Sequence, residues 1–408
     1  MVLGRHRAPP HHGPMTRDPD RLVTGRFLLV CVSTFAFFMA VGINLPVLPR
    51  FIKGPLGGSD LAVGITVTSL SIAAIFARPL LGRVGRRHGQ RRLMIGGATL
   101  AAGAFALCAT VHALVPLIVL RVFAGFGDAA LFVGAATIIS ELSPSNRRAE
   151  GAAYLSVAVF IGLGVGPFVG DSLQRGGHFA LAFLIAAACD AIAAVLALLV
   201  QQPAGLVSSS RAKLRILHPA GLRTGVVLAL VMTGFAGWST FVALRADQLH
   251  VGAGTFFAIY SFTVLVLRVT CARLPERIGL GRVAFVAIGL CGVGLLLMGI
   301  INGVEGMVIG TIVMSFGIAF YYPSLMAITL NSVVDGDRAA VVPTFTMFFE
   351  VGSAAGGLAL GPVANFFGYR AVFVTGGLLA LADLALLWVV VLVPRQNALR
   401  PAVPRVIG

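Results

Sequence analysis

The chain has 408 residues, 58% of them hydrophobic and 11% charged, with 31 Lys and Arg against 15 Asp and Glu, a formal net charge of +16. A soluble protein of this length carries about a quarter of its residues as charges, so a water-soluble globular fold is excluded. The apolar residues come in runs of about 20, the helical length that crosses a hydrocarbon core of about 30 Å, and the period-two alternation of a membrane barrel is absent.

The chain opens on a polar segment, residues 1–25, containing "HRAPPHHGPMTRDPD". Its composition predicts a disordered tail. His11 and His12 lie in it without metal-ligand spacing, Met15 is a second candidate start, and no removable signal peptide is predicted. Twelve spans then follow, at about 26–48, 61–82, 91–112, 114–139, 150–173, 178–200, 221–246, 254–274, 282–301, 305–332, 340–365 and 369–393. The fold class read from this pattern is an all-α polytopic membrane protein. With the N-terminus inside, the external connections hold only Arg50, Lys53, Arg175, Arg245 and Arg370. Three further arginines, Arg78, Arg121 and Arg268, fall within spans, and all other basic residues lie on the inner side. That asymmetry predicts cytoplasmic termini in a plasma membrane, the inner membrane of a bacterium.

The first span carries "GINLPVLPRF". Asn44 is polar without charge, and Pro46 and Pro49 free backbone groups to line a cavity. Between spans 2 and 3 lies "GRVGRRHGQRR", residues 82–92, with five arginines. Glycine tolerates unusual backbone angles and lets helix ends approach. The arginines suit anionic headgroups or the last carbonyls of helices. A nucleic-acid site lacks the interleaved aromatics and soluble domain it would need.

Span 4 holds Arg121 and Asp128, seven residues apart and so on one face about two turns apart. Ionisable groups at a helix centre cost about 2.5–3.5 kcal/mol on insertion scales, so each needs a reason, and these two are placed to bracket a watery site. Span 5 contains "GLGVGPFVGD", residues 162–171. Gly162, Gly166 and Gly170 allow close helix approach, and Pro167 allows bending. Asp171 and Glu141 are expected near helix ends, facing water or headgroups. Arg78 and Arg268 are expected to snorkel from the ends of spans 2 and 8.

The longest internal polar break, residues 201–223, divides the spans six and six. A constant offset of 190 residues then aligns Arg78 with Arg268, Arg87 with Arg277, Gly89 with Gly279, Gly127 with Gly317, Arg148 with Arg338 and Gly166 with Gly356. The halves therefore read as a duplicated six-helix unit, a pattern that puts the working site between them near mid-membrane. Domains are expected at 1–25 (tail), 26–200 (first bundle), 201–220 (linker), 221–393 (second bundle) and 394–408 (tail). In the second half, Trp238 and Thr240 on span 7 and Tyr321 and Tyr322 on span 10 offer aromatic and polar contacts to an organic substrate. Glu350 stands in "MFFEVGSAAGG" on span 11. A buried carboxylate whose proton affinity changes as its surroundings open meets the requirement of a proton-coupled carrier. Glu350 is thus the first candidate for proton coupling, with Asp128 and Arg121 beside it. Asp190 and Asp383 fall on spans 6 and 12.

Four stretches resemble the major facilitator superfamily: Gly82-x-Val84-Gly85-x-Arg87-x-Gly89-x-Arg91-x-Leu93, Arg121-x-x-x-Gly125-x-Gly127-x-Ala129, "GLGVGPFVGD" and "SPSNRRAEG". The resemblance covers residues 26–395 and implies two pseudo-symmetric six-helix bundles that alternate access to a central cavity. It also implies a cytoplasmic gate in the 82–92 turn, where the family usually has Asp in place of Arg86. The matching position of the second half is acidic, Glu276, and Asp337 stands opposite Arg147. A charge-exchanged latch is therefore expected, Arg86 or Arg87 meeting Asp335 or Asp337, and Glu276 meeting Arg147 or Arg148.

The fifth-span motif resembles that of the family's exporters. The expected function is secondary active transport, proton-coupled efflux of a small organic solute or drug. A sugar or metabolite carrier, by symport or uniport, is the alternative, and a non-transporting membrane sensor the alternative of another class. Enzyme motifs are absent: no GxSxG elbow, no HExxH, no phosphate-cradling loop. No catalytic residue, cofactor or metal is expected. The five cysteines, Cys31, Cys108, Cys189, Cys271 and Cys291, fall in apolar spans as packing residues. Expected partners are a small-molecule substrate, protons and membrane lipids, with the chain a monomer.

Overall fold

The computed structural model describes residues 22–144, 147–201, 218–271, 274–333 and 338–393, and they are helical almost throughout. Eight helices cover the stretch to residue 270: α1 (Gly25–Lys53), α2 (Asp60–His88), α3 (Gln90–Cys108), α4 (Leu114–Leu142), α5 (Arg148–Arg175), α6 (Phe179–Leu199), α7 (Pro219–Gln248) and α8 (Ala253–Thr270). A single turn, Leu274–Ile278, precedes α9 (Leu280–Ile300) and α10 (Val304–Leu330). The last helical stretch, Arg338–Leu387, is broken at Gly368, whose φ of 78° and ψ of 174° leave the helical region. That break makes α11 (338–367) and α12 (369–387), the latter extended by a π-helical turn, Trp388–Leu392. Twelve long helices result among the described residues, in the order the sequence predicts, and ten helical stretches, counting 341–392 as one, are long and apolar enough to cross a membrane.

Local chemistry sets the helix starts. Thr24 accepts the Phe27 amide at 3.3 Å and Ser59 the Ala62 amide at 3.2 Å, each a side-chain oxygen satisfying an orphan N–H. Pro219 at the first position of α7 has no amide to lose. Gly89 (φ 93°) and Gly279 (φ 105°) precede α3 and α9 at equivalent places in the two halves. Only glycine takes that backbone angle without strain, so the repeated pair marks the same turn twice.

The short connections make successive helices antiparallel. One face, here called the terminal face, carries the start of α1, the end of α12 and the 82–92 turn; the distal face carries the 54–59, 176–178 and 249–252 connections. Within the first half, α1 packs on α5 and α6, and α3 on α4 and α6. The second half repeats this with α7 on α11 and α9 on α10. Gly162, Gly166 and Gly170 form one stripe on α5: a Cβ on Gly166 would lie 2.6 Å from the Met39 carbonyl oxygen of α1. On α11 a Cβ on Gly356 would lie 2.6 Å from the Thr233 carbonyl oxygen of α7. Small residues let backbones approach where lipid supplies no hydrophobic drive. The halves meet through α2 with α11, α5 with α8, and α1 with α7.

Candidate functional site

Where α2 meets α11, a Cβ on Gly64 would strike the Gly357 carbonyl, and the Thr68 hydroxyl donates to the Ala354 carbonyl at 3.0 Å. That approach carries Arg78 across to the other half: its Nη2 donates to Glu350 Oε1 at 2.6 Å, as an ion pair with little exposure on either side. Asp128 on α4 lies within electrostatic reach of Glu350, Arg78 and Arg121. Tyr322 on α10 lies within reach of both Arg78 and Arg268. The expectation that Arg78 and Arg268 snorkel to their helix ends is corrected here. Each turns into the opposite half instead, because a partner there satisfies it better than a long reach to the interface. Arg268 sits over the Phe160 ring of α5 at 4.7 Å, a cation–π contact.

Nearer the distal face, α1, α2, α3, α4 and α7 enclose a cavity of about 70 Å3. It brings Asn44, Arg121 and Thr240 together, with Leu48 and Phe105 among its apolar walls. Asn44 spends its amide N–H on the Ala40 carbonyl, at 2.9 Å, and its Oδ1 has no partner among the described residues. Trp238 and Tyr321 lie elsewhere. Trp238 is 0% exposed and stacks with Phe235, Phe257 and Tyr260 at 5.2–5.5 Å. Tyr321 is equally buried, and Tyr322 packs on Phe345 at 5.5 Å. The aromatic positions expected around a substrate thus belong to the core of the second half and to the arginine layer, not to this cavity.

At the distal face Arg50 ties three helices. It donates to Asp171 of α5 at 2.8 Å, to both oxygens of Asp247 of α7 at 2.7 and 2.5 Å, and to the Ala243 carbonyl at 3.4 Å. Arg175 shares Asp171 at 3.0 Å. Asp171 is therefore buried and paired rather than facing water, which corrects the expectation from its place near a helix end. Asp60 receives Lys53 at 3.2 Å and the Tyr369 hydroxyl at 3.0 Å, a second link between the halves at the same level. Sequence reasoning missed this cluster. Its one signal was an arginine at the end of the first span together with an aspartate closing the glycine run of the fifth.

At the terminal face the expected latch is only partly in view. Asp335 and Asp337 lie outside the described residues, as do the side chains of Gly82 and Arg86. Glu276, Arg87 and Arg148 are exposed and form no ion pair among the described residues. Arg147 is held by Glu150 of its own helix at 2.8 Å. Arg91 donates to the Ala197 carbonyl at 3.4 Å and to the Leu198 carbonyl, fixing the turn to the end of α6. Helix C-termini attract cations in this way.

A family model for the Major Facilitator Superfamily matches residues 30–249 and again 225–405. An uncharacterised MFS-type transporter of Salmonella typhimurium (strain LT2) is 28% identical over 379 residues, covering 90% of this chain and 96% of its own length. A counterpart from Burkholderia pseudomallei (strain 1106a) is 27% identical over 372 residues, covering 89% and 91%. Among solved structures, the nucleoside transporter NupG superposes with a TM-score of 0.73 at 17% identity, covering 89% of this chain and 99% of its own. The human organic anion transporter MFSD10 (TETRAN) gives 0.67 at 21%, covering 91% and 100%. These two likenesses concern the fold. Two repeated bundles of six helices, ionised groups held between them and a family match over both halves lead to one conclusion: the chain belongs to the major facilitator superfamily and is a multi-pass membrane transporter of a small-molecule substrate, not an enzyme.

Proposed function

We propose that this transporter exports a small organic solute in exchange for protons by alternating access, from a plasma membrane in which both termini are cytoplasmic. The observation that carries the reading is the Arg78–Glu350 pair at 2.6 Å, which joins the two halves while Asp128 waits on the same half as Arg78. A proton taken up by Glu350 removes its charge, and Arg78 is then drawn to Asp128. A bond between bundles is exchanged for one within a bundle, so proton binding loosens the halves. A ligand shifts such an equilibrium only by its differential affinity for the two states, and this exchange supplies that difference. The direction of transport follows the likeness of the fifth helix to exporters and the basic excess that orients the chain. Asn44, Arg121 and Thr240 form the substrate cavity in this reading. The 82–92 turn, with Glu276 and Arg148, acts as the cytoplasmic gate, the chain working as a monomer among anionic lipids.

The test is uptake of a compound panel into inside-out vesicles driven by an imposed pH gradient, for wild type and Glu350→Gln. Gradient-driven uptake that falls at least tenfold in the variant, with exchange of solute at equal pH preserved, is the expected result. Equal responses of the two proteins to the gradient remove Glu350 from coupling.

A further inference from the structure

Arg121 is a buried charge with no bonded partner among the described residues. It is 8% exposed, yet it forms no hydrogen bond or ion pair among the described residues. Its Nε has no partner, and the Phe105 ring lies 5.8 Å away. Asp128 is seven residues further along the same helix, about 10 Å by helical rise, and acts on Arg121 only through space. The cavity that Arg121 lines is also lined by Thr240, whose buried hydroxyl has no partner, and by Asn44, whose Oδ1 has none. Three unpartnered polar groups from α1, α4 and α7, and so from both halves, converge on one space. A buried cation without a bonded partner is costly and is kept where a ligand supplies the missing contact.

We propose that this cavity binds the carboxylate of a small monoanionic organic acid, Arg121 gripping its oxygens and Thr240 donating to one of them from the facing half. A guanidinium fork matches the two oxygens of a planar carboxylate. An organic ammonium is repelled there, and a neutral solute leaves the guanidinium unpaired. The cavity has the room of about two waters, which fits the head group, while Leu48, Val67 and Phe105 meet the first carbons. Because the acid touches Arg121 on one half and Thr240 on the other, its binding draws the halves together. This inference rests on the transport reading above and gives its substrate a chemical class.

The test is equilibrium binding to the purified full chain at neutral pH with no gradient, using butyrate, butyramide and butylammonium as probes. Butyrate is expected to bind at least tenfold more tightly than butyramide, and butylammonium most weakly. Arg121→Gln is expected to erase the butyrate preference while butyramide binding stays. Arg121→Lys should restore part of it, and Thr240→Val should weaken butyrate alone by several-fold, which keeps the test intact if Arg121→Gln fails to fold. Equal affinities of butyrate and butyramide in wild type, or a butyrate preference that survives Arg121→Gln, overturns the proposal. Glu350→Gln should keep the preference for butyrate over butyramide, whatever its absolute affinity for either. A retained acid preference in a protein without gradient-driven flux therefore supports this site and sinks only the coupling, whereas coupled flux without that preference sinks only this site.

Discussion

Glu350 and Phe160 occupy equivalent positions in the two repeats, and each receives the equivalent arginine from the opposite half: Arg78 on the carboxylate at 2.6 Å, Arg268 over the ring at 4.7 Å. One geometry is thus used twice, with a titratable acceptor on one side and an inert one on the other. The protonation proposed above would discharge only the first. In a double-mutant cycle, Arg78→Gln with Glu350→Leu should show a coupling of about 1–3 kcal/mol in the unfolding free energy at neutral pH, the range for contacting residues. Under the coupling proposed above, this interaction is present with Glu350 ionised and lost once Glu350 is protonated. The cycle of Arg268→Gln with Phe160→Leu should give about 0.5–2 kcal/mol at either pH. A pH-independent Arg78–Glu350 coupling, measured by denaturant titration, would exclude it as the switch.

The distal lock should behave as a second brace. Arg50 holds one carboxylate on its own half, Asp171, and one on the other, Asp247. Removing one member of a buried pair leaves the other uncompensated and costs about 3–5 kcal/mol. Asp247 is half exposed, so the buried Asp171 bears most of that cost. Arg50→Gln should lower the unfolding midpoint and also open the distal face. A cysteine placed at Gly252, against Asp171 and Arg175, should then react faster with an impermeant thiol reagent than the same cysteine beside intact Arg50. Asp247→Asn should raise labelling with a smaller loss of stability. Unchanged labelling in both would show that the face is held shut by packing alone.

Glycine positions offer a sharper separation of packing from gating. On Gly166 a Cβ meets the Met39 carbonyl oxygen at 2.6 Å within one half, whereas on Gly64 it meets the Gly357 carbonyl across the halves. Gly96 and Gly103 have open space at the same position. Gly166→Ala should therefore destabilise the fold by about 1–3 kcal/mol, the cost of overpacking. Gly64→Ala should leave the unfolding midpoint closer to wild type and instead favour the distal-open form, read by the same cysteine labelling. Gly96→Ala and Gly103→Ala should be silent in both assays, and a loss of stability there would mean that helix approach is not what the glycines serve.

What the sequence shows and what it hides have separate physical origins. Span length and hydropathy are local, so all twelve helices were legible, including the break at Gly368 between the last two. The offset of 190 made Arg78 and Arg268, and Gly89 and Gly279, readable as equivalents before any contact was known. Contacts between halves are another matter, since nothing local in Arg78 names Glu350, 272 residues away. The rule that long cations snorkel gave the wrong direction for both arginines for that reason. Asn44, Arg121 and Thr240 were each selected for polarity within apolar helices, and the structure gathers them. Trp238 and Tyr321 were selected on the same footing and are core residues, because an aromatic in a helix fills space as readily as it meets a ligand.

Asp190 and Asp383 supply the last prediction. Both are 0% exposed, on α6 and α12, and neither carboxyl oxygen of either has a partner among the described residues. An aspartate at a helix centre costs about 2.5–3.5 kcal/mol on insertion scales, and no observed bond offsets it. The two should therefore respond alike to mutation. Asp383→Leu removes an unpartnered polar group and should raise the unfolding midpoint with flux unchanged. Asp190→Leu should raise it too, again with flux unchanged, because its carboxyl likewise has no bonded partner to lose. Measured midpoints that fall in both variants would mean that these carboxyls are bonded in the membrane after all, and a pH shift in Asp383→Leu alone would place the proton path in the second half.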